Sequence, residues 1–339
     1  MAKCYPRGGK SLKKAFDQFQ AEDTVKWFEA RGVRLHTEAD GRMFPTTNDS
    51  QTIVDCLAHA ATEGDIAVRM QTPAKQLRPA AGGWMINGEP FDRIVVATGG
   101  SPTTKGFDWL RALGHRIVEP VPSLFTFNMP GNSITQLMGV VVPRAIARVQ
   151  GTKLSEEGPI LITHWGMSGP GILKLSAWGA RELAYRNYTF TAQINWIGES
   201  NEDQARTALE KAMPDIRKKQ LGNACPFDLP RKFWAYLLNR AGCDANQPWM
   251  DLGKKDRNRL LNTLLKDAHE VRGKTTFKEE FVTCGGVELS EVDFTTMESR
   301  IAPGLYFAGE VLNVDGITGG FNFQAAWSTG FVAGQLKGN

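Results

Sequence analysis

Apolar positions return at two different periods along the chain, and the changes of period mark its elements. Between Ser11 and Gly32, Phe16, Phe19, Val25 and Phe28 recur at three- and six-residue steps among charges, which predicts one or two amphipathic helices closing at Gly32. A short extended piece over Val33–Thr37 follows. Ser50 then stands as an N-cap before Ile53, Leu57 and Ala60-Ala61 at helical spacing, with Gly64 as the stop. Ile66–Met70 is expected to be a strand. From Trp84 to Ala97 the pattern predicts a hairpin arm, a turn containing Gly88, and a buried strand ending in Thr98-Gly99-Gly100.

After Pro120 the texture changes. The chain is β-rich to about Trp196, and the apolar run from Leu137 predicts a strand that stops at Pro143-Arg144. Leu, Ala and aromatic residues at helical spacing then predict helices over Asp203–Met213, Arg231–Arg240 and Lys254–Lys266. The strand pattern returns at Thr275–Thr283, and the last apolar segment, Phe323–Leu336, reads as a helix rich in Ala and Gly.

Composition narrows the class. At 339 residues the chain is long enough for about two domains. Lys+Arg 40 against Asp+Glu 36 gives a net charge of +4, so no polybasic binder is advertised. The five cysteines form no C-x-x-C pair, which indicates neither a disulfide framework nor a zinc site and fits a reducing cytoplasm. His36, His59, His115 and His269 are scattered without metal-ligand spacing, so no metal is assigned. No apolar run approaches the roughly 18 residues of a membrane span, and the N-terminus lacks an apolar signal core.

The strongest stretch for chemistry is Gly304-Leu-Tyr-Phe-Ala-Gly-Glu-Val-Leu-Asn-Val-Asp-Gly-Ile-Thr-Gly-Gly-Phe-Asn-Phe-Gln-Ala-Ala. It reads as a short strand ending at Gly309-Glu310, a glycine loop that lets backbone approach a ligand, and a helix beginning near Phe321-Asn322. Such a helix start suits a phosphate or the electron-rich edge of a reduced flavin, and Glu310 suits ribityl or ribose hydroxyls. The bland alternative is a glycine-rich turn. The Val95-Val-Ala-Thr-Gly-Gly100 junction alone is common to many α/β folds.

Taken in order, Val95-Val-Ala-Thr-Gly-Gly100, Thr163-His-Trp-Gly-Met-Ser-Gly-Pro170, Thr283-Cys-Gly-Gly-Val-Glu-Leu and the Gly304 stretch, with Asp40-Gly-Arg-Met-Phe-Pro45, resemble the BaiN/YhiN-like flavoprotein family. The similarity covers nearly all of the chain. It implies NAD(P)/FAD-dependent oxidoreductase activity and an α/β fold: a discontinuous, Rossmann-like FAD domain of the two-dinucleotide-binding type, residues 1–121 and 281–339, interrupted by a β-plus-helical insert at 122–280. By that resemblance Thr98, Gly99 and Gly100 run beside the ADP half of FAD, and Gly309 and Glu310 beside the ribityl chain and pyrophosphate. Asp315, Gly319, Gly320, Phe321 and Asn322 lie at the flavin ring, which Thr283, Gly285 and Gly286 approach from another side. His164, at a strand end entering a glycine loop, and Arg42, in the Asp40 turn, are catalytic candidates; the alternatives are a loop-bonding histidine and a surface arginine.

One departure stands against the matches. Family members open with a G-x-G-x-x-G βαβ unit, and the nearest stretch in this chain, Gly166-Met-Ser-Gly-Pro-Gly171, has different spacing. The expectation is therefore an N-terminally truncated chain with weakened FAD binding and unpaired strand edges. The functional reading is hydride transfer between NAD(P)H or an organic substrate and the flavin. The substrate is a small molecule, an enone-like double bond or a small amino ketone, or a uracil base of ribosomal RNA, for which Lys10, Lys13, Lys14, Arg217, Lys218 and Lys219 are among the basic residues. The alternative is a non-catalytic fragment that does not hold FAD tightly.

Overall fold

The computed structural model describes residues 1–199, 201–275 and 282–336. Contacts divide the chain into two compact units, Met1–Val121 with Val282–Asn339 (unit 1) and Pro122–Phe281 (unit 2).

Unit 1 begins with α1 (Gly9–Phe16), α2 (Ala21–Glu29), β1 (Leu35–Thr37), β2 (Met43–Pro45) and α3 (Gln51–Glu63). Then come β3 (Leu77–Ala80), β4 (Gly83–Ile86), β5 (Glu89–Phe91), β6 (Ile94–Val96), α4 (Asp108–Ala112) and β7 (Ile117–Ser123), which crosses the boundary. In α1 the buried side is Leu12, Ala15 and Phe16, while Lys10, Lys13 and Lys14 are exposed, the amphipathic division expected of a surface helix. Reciprocal capping by Gln20 and Asp23 starts α2. Asn87 and Gly88, with φ of 50° and 90°, make the left-handed turn that closes the β4–β5 hairpin.

Unit 2 holds β8 (Thr126–Asn128), β9 (Val141–Val149), β10 (Ser155–Ile162), β11 (Gly166–Ser168), α5 (Pro170–Tyr185) and β12 (Thr189–Asn195). It continues with α6 (Glu202–Ile216), α7 (Arg231–Arg240), α8 (Lys254–Lys266), β13 (Asp267–Arg272) and β14 (Lys274–Thr275). Its strands form one seven-stranded sheet in the order β13-β12-β9-β10-β11-β8-β14, antiparallel at every pairing. Trp196, Phe233, Trp234 and Trp249 are fully or almost fully buried in its core.

The chain returns to unit 1 with β15 (Val282–Val287), β16 (Val292–Asp293), β17 (Glu298–Ser299), β18 (Leu305–Phe307) and α9 (Phe321–Gly334). The order β16-β17-β18-β6 makes a four-stranded sheet in which β18 and β6 run parallel, with Tyr306 opposite Val95. Tyr306, Phe307, Trp84 and Phe107 centre the unit's core.

Several sequence expectations need correction. Ile66–Met70 is not a strand: Ile66, Val68 and Met70 are 63%, 66% and 79% exposed, and an apolar run without a ladder partner gains nothing by extending. The strand ending at Thr98 is an edge strand rather than a buried one, since β6 stands at the end of its sheet and only Val96 is buried. Ser50 occupies the N-cap of α3 without a capping side-chain bond; Asp49 Oδ1 accepts the Gln51 N–H instead. The Leu137 run does not end at Pro143, because β9 starts at Val141 and carries Pro143 through a bulge opposite Pro159. Of the expected Thr275–Thr283 strand, residues 276–281 lie outside the described residues, and the flanks belong to β14 and β15.

Candidate cofactor site

Three segments of unit 1 converge just beyond the parallel pair β6 and β18. The first leaves β6 through Thr98-Gly99-Gly100, the second leaves β18 through Gly309-Glu310, and the third is the start of β15 at Thr283. A Cβ added to Gly100 would lie 2.2 Å from Thr283 Oγ1 and 2.8 Å from Glu310 Oε1, so only glycine permits this approach. Thr283, fully buried, donates its backbone N–H to Glu310 Oε1 at 2.6 Å. Gly99 sits alongside in the left-handed region, φ 75°, with open space where a side chain would be.

The electrostatics of this corner are unusual for a carboxylate. Burial pushes the Glu310 carboxyl above its ordinary range; the Thr283 amide and hydroxyl favour the charged form, and the Asp315 charge adds to the upward push. The Thr283 hydroxyl is buried beside the carboxylate yet makes no hydrogen bond of good geometry, and neither does the buried Asn313 Oδ1. Buried polar atoms ordinarily find partners, so a hydroxyl and a carboxylate held this way suit a polyhydroxylated ligand.

The second cluster is the corner ahead of α9. Gly320, φ 85°, begins the helix with no side-chain cap, so the first-turn N–H groups are left to a ligand or solvent. Behind that corner the loop is stitched to the chain's first residues. Arg7 forms a two-point ion pair with the fully buried Asp315, Arg7 Nε to Oδ1 at 2.5 Å. Tyr5 Oη donates to the Phe321 carbonyl at 2.7 Å, and the Asn322 side chain clasps Gly316 through both its oxygen, 2.8 Å, and its amide, 3.1 Å. Asp315 and Asn322 are thus committed to holding the loop.

The profile of the HI0933-like protein Rossmann domain matches residues 1–336. The chain belongs to this family. It is a family of flavoprotein-type oxidoreductases. A 3-dehydro-bile acid delta(4,6)-reductase of Clostridium scindens is 25% identical over 330 residues, 94% of this chain and 80% of the relative. A ribosomal RNA dihydrouridine synthase of Escherichia coli is 27% identical over 337 residues, 95% and 80% of the two chains. A protein of the same description from Haemophilus influenzae is 24% identical over 337 residues, again 95% and 80%.

The remaining predicted residues of this HI0933-like chain are placed as follows. Gly285 and Gly286, φ 137° and 126°, let β15 pass between backbones: a Cβ would meet the Glu119 carbonyl at 2.6 Å and the Val311 carbonyl at 2.4 Å respectively. Arg42 is on the exposed β1–β2 hairpin, where Asp40 and Glu38 each bond its guanidinium at 2.7 Å, so its charge is already answered. His164 belongs to unit 2, exposed between β10 and β11, with its ring edge-on to Trp165. Among the described residues no group of three or more acidic, His or Cys side chains is placed to hold a metal, and no helix is long and apolar enough to cross a membrane.

Sequence reasoning missed Tyr5, Arg7 and Thr329 at this site. Thr329 Oγ1, buried in α9, accepts the Gly309 N–H at 2.9 Å. A lone threonine in an Ala- and Gly-rich helix gives no periodic signal. The pairing of Tyr5 and Arg7 with residues more than 300 positions away gives none either.

Proposed function

We propose that unit 1 binds FAD and that the protein transfers hydride between NAD(P)H, or an organic substrate, and the bound flavin. The observation that carries the reading is the Gly100–Thr283–Glu310 contact, a half-buried carboxylate and a buried hydroxyl without a hydrogen bond of good geometry, brought together by glycine at the mouth of a parallel strand pair. Bound FAD supplies the hydride chemistry, and the protein supplies orientation and electrostatics. Glu310 accepts hydrogen bonds from the sugar-derived hydroxyls, while the Thr283 hydroxyl offers a second polar partner. The uncapped start of α9 holds an electron-rich edge of the cofactor through its free N–H groups and its partial positive charge. Gly99 and Gly100 let backbone lie close to the dinucleotide.

For the substrate we propose an electron-poor double bond, as in an enone-like ring or a uracil base of ribosomal RNA, in keeping with what the relatives are named for. A small amino ketone is the other acceptable substrate class. The test is an absorbance spectrum of the purified protein before and after incubation with excess FAD and gel filtration. Retained bands of oxidised flavin, bleached by NADPH or NADH under anaerobic conditions, are expected. A colourless protein after FAD loading would overturn the reading.

A further inference from the structure

The Glu310 carboxylate is useful only if the turn that carries it stays fixed, and a side chain of the helix beside it, Thr329, is bonded to that turn. The turn, Gly309–Val311, follows β18 directly, and the Ala308 N–H is already held by the Val96 carbonyl at 2.9 Å. On its other side Gly309 lies against α9, where a Cβ would sit 3.5 Å from that of Ala326. The Gly309 N–H points into this contact and finds Thr329 Oγ1 at 2.9 Å. The hydroxyl hydrogen of Thr329 goes to the Ala325 carbonyl one turn back, at 2.6 Å. Thr329 is 1% exposed, so water cannot replace either bond.

We propose that Thr329 is a positioning residue of this site: its hydroxyl ties Gly309 to α9 and so keeps the Glu310 carboxylate beside Thr283, where the hydroxyls of the bound cofactor reach it. The binding part of this inference rests on the FAD reading above; the positioning part does not. Both functions of the hydroxyl are used, acceptor for Gly309 and donor to Ala325, so serine can replace threonine and valine, its near-isostere, cannot. Ser328 provides the contrast. It is equally buried on the same helix, but its hydroxyl accepts from Gln324 Nε2 at 3.0 Å, within the helix, while the Gly309 N–H goes to Thr329.

The experiment compares Thr329→Val, Thr329→Ser and Ser328→Ala by FAD titration and by carboxyl-carbon NMR titration of Glu310 without FAD. T329V is expected to raise the FAD dissociation constant about 10-fold, equivalent to about 1.4 kcal/mol, and to move the Glu310 titration toward that of an ordinary glutamate. T329S and S328A are expected to stay within about 2-fold of the wild type and to leave the titration in place. If T329V lowers only the melting temperature, with Glu310 and FAD affinity unchanged, Thr329 is merely structural and the proposal is overturned. Should T329V not fold, Thr329→Cys keeps the volume with a weak acceptor sulfur and reads the same comparison. A wild type that binds no FAD defeats the reading of the site, while the NMR titration still decides the positioning claim.

Discussion

Two carboxylates, one in each unit, are treated in opposite ways. Asp267, in unit 2, accepts from His269 Nε2 at 2.7 Å, Trp196 Nε1 at 3.0 Å and Arg240 Nε at 2.5 Å. Burial pushes its carboxyl up, but the bonds from His269, Arg240 and Trp196 outweigh burial and hold it below the usual range. The His269 ring is completed on its other nitrogen by Asn132. Glu310, in unit 1, has one backbone N–H, a hydroxyl out of good geometry and a raised carboxyl. A carboxylate whose partners are all supplied by the fold is a fastening, here between α7, β13 and Trp196, which follows β12. One left short of partners, beside a hydroxyl out of hydrogen-bonding geometry, is the arrangement on which the proposed FAD site rests.

The comparison breaks most visibly at Asp267. Asp267→Ala should cost about 3 to 5 kcal/mol in urea unfolding, because it leaves the buried His269 ring and the buried Trp196 indole N–H without their acceptor and takes the carboxylate from Arg240. A cost under about 1 kcal/mol would mean that the network is ornamental. Next in size, Gly100→Ala forces a methyl onto Thr283 and Glu310 and should weaken FAD retention at least about 10-fold, or about 1.4 kcal/mol, measured by fluorescence titration. Retention at the wild-type level would separate Gly100 from the site.

The pH dependence sharpens the contrast by its sign. Asp267, lowered in the fold, adds stability that is complete above the unfolded carboxylate value, about 4, and is lost as pH falls through the folded value. Glu310, raised in the fold, does the reverse: stability declines as pH climbs from about 4 through its folded value and is flat above it. Glu310→Gln should therefore gain on the wild type across that rising interval, as thermal unfolding at stepped pH would show; a constant difference at all pH values would contradict the shift. The smallest effect is expected at Val68, where Val68→Ser should change stability by less than about 0.5 kcal/mol, since the side chain is 66% exposed.

Sequence periodicity carried much of the secondary structure. The helices at Arg231–Arg240 and Lys254–Lys266 have the bounds their apolar spacing predicts, because each buries one face on its own unit's core. Strands were less legible, since a strand exists only with a partner: the apolar alternation at Ile66–Met70 has none, and Pro143 enters β9 only because β10 supplies a bulge. The glycine loop before α9 could be read as a ligand contact from its composition, whereas the commitments of Asp315 to Arg7 and of Arg42 to Asp40 depend on geometry. The Asp267–His269 pair, at alternate buried positions of β13, lies on a strand that the sequence analysis did not predict. It reads as a structural motif only once Arg240 and Trp196 arrive from elsewhere.

The central claim is that Glu310 is a carboxylate awaiting hydroxyl donors, and the most direct test is its carboxyl titration by NMR in the wild-type protein, without and with saturating FAD. Hydrogen bonds donated to the ionised form lower a carboxyl's pKa. The account predicts a titration above the ordinary glutamate range without FAD and a clear downward shift with it. A Glu310 titration that is the same in both states would contradict the claim.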